Sequence, residues 1–135
     1  MMSSILFICV HNACRSRIAE AICLSLVHGD LRIASAGTDP SDQIDPKAAA
    51  ILDRYHLAVG SPKPNGLNDL PATKWGYVVR MDGGEKPIPV QAGQTIAWDV
   101  PDPFDGPMEL YETLYKDLEQ RILELVGKIR TEQPK

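Results

Sequence analysis

The chain has 135 residues, of which 44% are hydrophobic and 24% charged, and its formal net charge at pH 7 is −4. These values are typical of one soluble globular domain, here expected over residues 1–135, and the acidic balance favours neither nucleic acid nor a membrane as partner. No apolar run is long enough to span a bilayer, and the cysteines at positions 9, 14 and 23 do not resemble a disulfide framework. The sequence therefore predicts a protein of the reducing cytoplasm.

The chain begins with a strand pattern followed by a helix pattern. Residues 5–10 form a nearly continuous apolar run, which is typical of a strand buried on both faces of a parallel sheet. From Ser16 onward, apolar residues recur at helical spacing, which predicts an amphipathic helix ending near residues 28–29. Residues 31–35 predict a short second strand.

The middle of the chain predicts a second helix, a long loop and a third strand. Asp45 before Pro46 has the residue types preferred at a helix cap and at the first helical position, so a helix is expected from there to about Tyr55. Residues 60–71 are rich in proline and glycine and predict a loop with at most one short helical turn. Residues 75–82 predict the third strand.

The last part of the chain predicts a fourth strand and a long amphipathic helix. Residues 83–93 read as a loop and residues 94–100 as the strand. Alternating strands and helices indicate a single-domain, three-layer α/β fold, in which a central four-stranded parallel sheet is flanked by helices. The apolar stripe of the final helix comprises Leu110, Leu114, Leu118, Ile122, Leu125 and Ile129.

The connection between the first strand and the first helix holds the most reactive residues of the chain. Residues 9–15 read CVHNACR, and they lie where ligands bind in open α/β folds, at the carboxyl end of a strand. The amide groups at the start of a helix suit a tetrahedral oxyanion, and Arg15 offers a bidentate fork to two of its oxygens. The helix dipole, the loop amides and Arg15 would together stabilise a nucleophilic thiolate at Cys9.

A second loop supplies a candidate proton donor. Asp102 lies between two prolines after the predicted fourth strand, so it is expected at the same edge of the sheet as Cys9. It could protonate a leaving group and then deprotonate the water that hydrolyses a cysteinyl-phosphate. The alternative is a purely structural role, in which Asp102 only forms a turn, as Asp-Pro pairs often do.

Nearly the whole chain resembles the low-molecular-weight protein tyrosine phosphatases and the related thioredoxin-coupled arsenate reductases. The stretch CVHNACRSRIAEA looks like the family's C-x5-R-S loop with the helix that follows, and SAGT at 35–38 resembles its second-strand signature. YVVRMD at 77–82 is similar to the family's third strand. DPFDGPMELYETLY at 102–115 is similar to its acid loop and final helix.

The resemblance implies a role for each matching position. Cys9 would be the nucleophile, Arg15 the oxyanion clamp, Asp102 the general acid and base, and Phe104 a wall for the leaving group. Asn12, Ser16 and Ser35 would hold the loop by hydrogen bonds. The oxyanion would be bound by the loop residues Val10, His11, Asn12, Ala13, Cys14 and Ser16.

The chain also departs from the family pattern. His11 stands where family phosphatases often have glycine, and a histidine common in their middle loop is replaced near Ser61 and Pro62. Residues 38–47 lack the aromatic side chain with which many of the phosphatases grip phosphotyrosine. The two further cysteines that the reductases keep near the third strand are missing.

The sequence leaves three functions open. The favoured one is a phosphatase acting on phosphoprotein or on a small phosphate monoester, without cofactor or metal. An arsenate reductase would use Cys9 with Cys14 or an external thiol, from thioredoxin, glutaredoxin or a small molecule. The third is an oxyanion-binding module without turnover. Cys14 is either a protective or a relaying thiol, Cys23 is expected in the core, and a monomer is expected.

Overall fold

The computed structural model describes residues 3–60, 63–84 and 86–132. Over these ranges four parallel strands form one sheet in the order β2-β1-β3-β4, with helices along one of its faces, which confirms the predicted α/β fold. None of the helices in these ranges is long and apolar enough to cross a membrane. The elements are β1 (Ser3–Cys9), α1 (Arg15–Leu26), β2 (Leu31–Gly37), α2 (Pro46–Arg54), a 3-10 helix (Leu67–Asp69), β3 (Lys74–Arg80), β4 (Gln91–Ala97) and α3 (Met108–Glu132).

The two faces of the sheet are covered differently. Ile5 and Phe7 of β1 pack in one large cluster with the buried side chains of α1, α2 and α3. Leu6 and Ile8 point to the opposite face, because side chains alternate along a strand, and pack there in a smaller cluster. Leu67 from the 3-10 helix contacts this second cluster, together with residues from the loops around it. The face of the sheet opposite α1, α2 and α3 is therefore covered by loops and the short 3-10 helix.

The strand order fixes where a ligand site is expected. β1 lies between β2 and β3, so the chain leaves β1 first to one side and later to the other. The crevice at such a switch point lies beyond the carboxyl ends of the strands. Met81, just after β3, donates its backbone N–H to the carbonyl of Ile8 at 2.7 Å, which holds the ends of these two central strands together.

Several element boundaries differ from the sequence-based expectations. The predicted strand over 94–100 is wrong by three residues, because β4 pairs with β3 from Lys74 opposite Gln91 to Arg80 opposite Ala97. β4 is an edge strand whose side chains are almost all exposed, so no apolar pattern marks it. α1 ends at Leu26 because Val27 is extended, and β3 ends at Arg80 rather than at residue 82.

The stripe of α3 is confirmed except at its first position. Leu114, Leu118 and the later members are buried, whereas Leu110 is 50% exposed and Tyr111 is buried in its place. Both positions lie one helical turn before Leu114, at spacings of four and three residues. Tyr111 takes the buried one because its hydroxyl reaches Asp45, to which it donates a hydrogen bond.

Candidate active site

The Cys9 loop, residues 9–15, connects β1 to α1. Cys9 is the last residue of β1 and is 2% exposed, and α1 begins at Arg15 with Cys14 at its N-cap. No side chain caps this helix. An uncapped helix start directs backbone N–H groups and the positive end of the helix dipole at whatever lies in the loop, which favours an anion there.

The carbonyl groups of the Cys9 loop are held on its outer side. Amide groups of the segment after β2 donate hydrogen bonds to them, so these oxygens do not face an anion at the centre of the loop. The bonds run from Thr38 to Cys9 at 3.1 Å, from Asp39 to Val10 at 2.7 Å, from Ser41 to His11 at 3.1 Å and from Asp45 to Ala13 at 3.0 Å.

Gly37 allows the two segments to approach this closely. A Cβ atom at Gly37 would lie 2.6 Å from the carbonyl oxygen of Val10 and 2.9 Å from the amide nitrogen of Asn12. Both contacts are with backbone, which cannot move aside without moving the loop. Glycine is therefore required at the end of β2 for the loop to keep its shape.

We expect Gly37→Ala to destabilise the fold by about 1–3 kcal/mol, the usual cost of overpacking, and to lower turnover. Urea unfolding measures the first effect. Gly127→Ala is the matched control, because nothing lies within 4 Å of a Cβ added at Gly127 in α3. That control should be neutral or more stable. Equal unfolding free energies for Gly37→Ala and the parent protein would contradict the close-approach argument.

Asn12 organises the loop from inside. Its backbone is left-handed, with φ of 52°, a region that asparagine enters more readily than most residues. Its side-chain Nδ2 donates to Ser16 Oγ at 2.7 Å and to Ser35 Oγ at 2.9 Å. Ser16 Oγ lies 2.9 Å from Cys9 Sγ, so the predicted loop-supporting residues form one buried chain of hydrogen bonds that ends at the sulfur.

Arg15 links the Cys9 loop to the segments that follow β3 and β4. Its Nη1 donates to the carbonyls of Met81 at 2.7 Å and Val100 at 3.3 Å. Its Nη2 lies 3.7 Å from Asp102 Oδ2, and the two side chains are 11% and 38% exposed. These hydrogen bonds hold the guanidinium group in one position, although the rest of the arginine side chain is flexible.

One cleft brings together most of the sequence-predicted site residues. Val10 faces a neighbouring cavity instead, while Asn12, Ser16 and Ser35 are buried behind the loop. Phe104 is 72% exposed at the rim, which excludes a core role for it. The cleft is lined by Cys9, His11, Ala13, Cys14, Arg15, Asp45, Asp102 and Phe104.

Asp45 is a cleft residue that the sequence reasoning missed. Its predicted role as helix cap is confirmed, since Asp45 Oδ1 accepts the amide of Lys47 at 2.9 Å. The sequence pattern indicates only this cap, but Asp45 is 8% exposed and its Oδ2 accepts the hydroxyl of Tyr111. Burial, followed by this bond to the carboxylate, raises the pKa of Tyr111. The sequence feature that could have identified the pair of Asp45 and Tyr111 is a tyrosine placed next to Leu110, at the start of the apolar stripe of α3.

Cys14 and Cys23 are both buried, but only Cys14 lies at the cleft. Cys14 lines the cleft but is 6% exposed, and burial raises the pKa of its thiol strongly, with Asp45 and Asp102 adding to the shift. Cys23 is completely buried on α1, as expected for a core residue, and burial raises its pKa to about 12. At neutral pH both are therefore protonated and poor nucleophiles.

His11 and the loop that follows β2 form the outer wall of the site. His11 is exposed, and its Nδ1 lies 2.9 Å from the carbonyl oxygen of Asp39. A wider groove continues outward from the cleft, lined by residues 41–46 together with His11, Ala13 and Phe104. Ser61 and Pro62, where the family phosphatases carry a histidine, lie outside the described residues.

The fold and the Cys9 loop define the class of protein. Residues 4–135 match the family described as "Low molecular weight phosphotyrosine protein phosphatase", so the chain belongs to this family. The resemblance drawn from its sequence motifs is thereby confirmed.

Proteins similar to the chain include arsenate reductases and phosphatases. It is 25% identical over 131 residues to the "Glutaredoxin arsenate reductase" of Synechocystis sp., covering 95% of this chain and 99% of that protein. It is 26% identical over 149 residues to the "Low molecular weight protein-tyrosine-phosphatase Wzb" of Salmonella typhimurium, covering 100% and 99%. The structure of "An arsenate reductase in the phosphate binding state" superposes with a TM-score of 0.84 at 23% identity, over 95% of this chain and 99% of that one. That last likeness shows the shared fold.

Proposed function

We propose that the chain is a phosphatase that hydrolyses phosphate monoesters, with phosphotyrosine in proteins as the expected substrate. The observation that carries this proposal is that Cys9, Arg15 and Asp102, which come from two distant parts of the sequence, line one cleft. A thiol, an anion clamp and a carboxyl group around one oxyanion site are what hydrolysis through a cysteinyl-phosphate requires.

Substrate binding uses the loop and Arg15. The phosphate enters the Cys9 loop, where the start of α1 and the guanidinium neutralise its charge. Arg15 Nη1 donates to two backbone carbonyls, whereas Nη2 lies 3.7 Å from Asp102 Oδ2, beyond hydrogen-bonding distance, and both residues line the cleft. An oxyanion oxygen therefore accepts from Nη2 and leaves the anchoring bonds intact.

In the first chemical step the Cys9 thiolate attacks phosphorus. The S–P bond forms, the bond from phosphorus to the leaving oxygen breaks, and Asp102 gives that oxygen its proton. In the second step Asp102 takes a proton from water, the water oxygen bonds to phosphorus, and the S–P bond breaks. Inorganic phosphate leaves and Cys9 returns as thiolate, so no redox change and no cofactor are needed.

The groove beside the cleft is where we place the leaving group and the surrounding substrate. Phe104 supplies the phenyl ring on its lining, since residues 41–46 carry no aromatic side chain. An exposed aromatic ring at the rim can stack against a phenol leaving group. The wide opening of the groove suits a phosphorylated side chain that projects from a protein.

Arsenate reduction is the second candidate, and two observations favour it. Cys14 lines the same cleft as Cys9, and one relative is named a glutaredoxin arsenate reductase. Arsenate would form a thioester with Cys9 and release water. A second thiol would then attack the Cys9 sulfur, giving a disulfide as two electrons reduce arsenic to arsenite. Because burial raises the pKa of Cys14, Cys14 would have to lose its proton as it attacks, whereas an external thiol meets no such cost. Glutaredoxin, thioredoxin or a small thiol would reduce that disulfide.

Cys14→Ser distinguishes a protective thiol from a relaying one. In a phosphatase, peroxide oxidises Cys9 to a sulfenic acid, and Cys14 condenses with it to a disulfide and water, which a thiol reductant reverses. Without Cys14, a second peroxide oxidises the Cys9 sulfenic acid to a sulfinic acid, which dithiothreitol does not reduce. We therefore expect Cys14→Ser to regain little of its own untreated activity after peroxide and then dithiothreitol, whereas the parent protein regains most. Cys23→Ser should behave like the parent. Equal recovery in Cys14→Ser and the parent would contradict the protective role.

A parallel assay decides among the three functions. The protein is given phosphotyrosine peptide or, separately, arsenate with glutaredoxin, thioredoxin or a small thiol, and the release of phosphate or arsenite is measured. Phosphate release without arsenite formation supports the proposal, and the reverse overturns it. Tight oxyanion binding with neither reaction would leave only the binding module.

A further inference from the structure

Glu20 of α1 is connected to Cys9 by a continuous chain of hydrogen bonds, which is buried from Ser35 to the sulfur and partly buried at Glu20. Ser35 Oγ donates to Glu20 Oε1 at 2.8 Å, Asn12 Nδ2 donates to both Ser35 Oγ and Ser16 Oγ, and Ser16 Oγ lies 2.9 Å from Cys9 Sγ. We propose that Glu20 is a positioning residue for Cys9, acting as the terminal acceptor of this chain. The inference rests on the proposed role of Cys9 as nucleophile.

The direction of the chain is fixed at its centre. The backbone amide of Asn65 donates to Asn12 Oδ1 at 2.7 Å. Because an amide N–H can only donate, Oδ1 must face Asn65, and the two hydrogens on Nδ2 must face the two serines. The loop residue Asn65 therefore decides which way the Asn12 side chain is turned.

The serine hydroxyls then have one orientation each. Ser35 Oγ accepts a hydrogen bond from Asn12 and donates its only hydrogen to Glu20. Ser16 Oγ also accepts from Asn12, so its hydrogen is available for the Cys9 sulfur. Without an acceptor at Glu20, the Ser35 hydroxyl loses the partner that fixes its hydrogen, and it is free to rotate away from this arrangement. Asn12 then loses a fixed partner while in a left-handed conformation, and the hydrogen bond to the sulfur loosens with it.

When Glu20 is ionised, its charge acts on the Cys9 thiolate in the direction opposite to its hydrogen bond. Burial raises the pKa of Glu20, while the bond from Ser35 and the nearby Arg17, with Nη1 at 3.9 Å, oppose the shift. A negative charge behind the loop disfavours the Cys9 thiolate, so removing charge alone would favour it, whereas removing the acceptor would disfavour it. The titratable and charged groups that face Cys9 across the cleft are His11, Cys14, Arg15, Asp45 and Asp102.

Two substitutions separate these effects. Glu20→Gln removes the charge but keeps an oxygen that can accept from Ser35, and Glu20→Ala removes both. The readout is the rate of alkylation of Cys9 by iodoacetamide as a function of pH, with the modified cysteine located by tandem mass spectrometry. We expect Glu20→Ala to react about fivefold more slowly at neutral pH, the scale of one lost hydrogen bond, with its profile displaced to higher pH. Glu20→Gln should stay within about twofold of the parent because it keeps that bond.

Glu112 offers a matched control, since it accepts the hydroxyl of Tyr55 at 2.8 Å at the interface of α2 and α3. Glu112→Ala and Glu112→Gln should both alkylate at the parent rate. If Glu20→Ala does not fold, Ser35→Ala breaks the chain while keeping the pair of Glu20 with Arg17, and the same slowing is expected.

Faster alkylation in both Glu20 variants would show that charge dominates and would overturn the proposal. Parent-like alkylation in Glu20→Ala would overturn it as well, because a purely structural role changes unfolding but not the pH profile of the thiol. Alkylation needs no turnover. The expected profiles in a protein that hydrolyses no phosphate monoester would therefore support the role of Glu20 and contradict the proposed function instead.

Discussion

Cys9→Ser is expected to abolish hydrolysis of an aryl phosphate while binding of inorganic phosphate survives. A serine hydroxyl in place of the thiol is not ionised at neutral pH, so turnover should fall roughly 10⁴-fold or more, the scale of removing a nucleophile. Binding depends on the loop amides and Arg15, whose anchoring to Met81 and Val100 does not involve the sulfur. Steady-state kinetics measures the first quantity and calorimetric titration with phosphate the second.

The control for this variant is Cys23→Ser, the same exchange at a completely buried position of α1 outside the cleft. It should lose stability, because the hydroxyl is buried in an apolar core, and retain its turnover per folded molecule. If Cys9→Ser loses phosphate binding and turnover in equal measure, the sulfur holds the loop together and the assignment of Cys9 as nucleophile fails. Turnover near the parent rate would contradict that assignment directly.

The fold could be predicted from sequence where burial is strong. β1 is buried on both faces and α1 has one apolar side, so hydrophobic periodicity predicted both to within a few residues. β4 shows the opposite case. Its position is set by backbone pairing with β3 on the sheet edge, and Ile96 is its one partly buried side chain. Val100, which is buried although it lies after the strand, extended the apolar pattern and displaced the prediction.

The site was predictable in its chemistry and less so in its support. Cysteine, arginine and aspartate have a known reactivity, so the sequence itself indicates the chemistry of the site. The parallel topology then places Cys9 and Asp102 at one edge of the sheet. The contributions of Asn65 and Gly37 come from a backbone amide and from the absence of a side chain. Neither leaves a chemical signature in the sequence. Asp45 was missed for a related reason, because its role as helix cap already explained it.

Asp102→Asn is expected to slow hydrolysis of esters with poor leaving groups by roughly 10²–10⁴-fold, the usual contribution of general acid–base catalysis. Asparagine cannot give up a proton to the leaving oxygen, yet its Oδ1 can still accept the Phe104 amide that Asp102 Oδ1 accepts at 3.1 Å, so the loop should keep its shape. For an activated ester such as 4-nitrophenyl phosphate the first step needs little protonation, and its loss should be much smaller. Rates for a series of aryl phosphates, plotted against leaving-group basicity, should therefore fall more steeply in Asp102→Asn than in the parent protein.

Asp99, in the same loop as Asp102, provides a matched control for this prediction. Asp99, three residues earlier, is exposed and lines the neighbouring cavity rather than the cleft, so Asp99→Asn makes the same chemical change without touching the leaving group. Its plot should follow that of the parent. Asp102→Asn also removes the charge 3.7 Å from Arg15, but Arg15 keeps its two carbonyl partners, so phosphate affinity should hold or rise as the competing carboxylate disappears. If the loss in Asp102→Asn is instead equal for good and poor leaving groups, Asp102 acts by orienting Arg15, and the proton must come from another group.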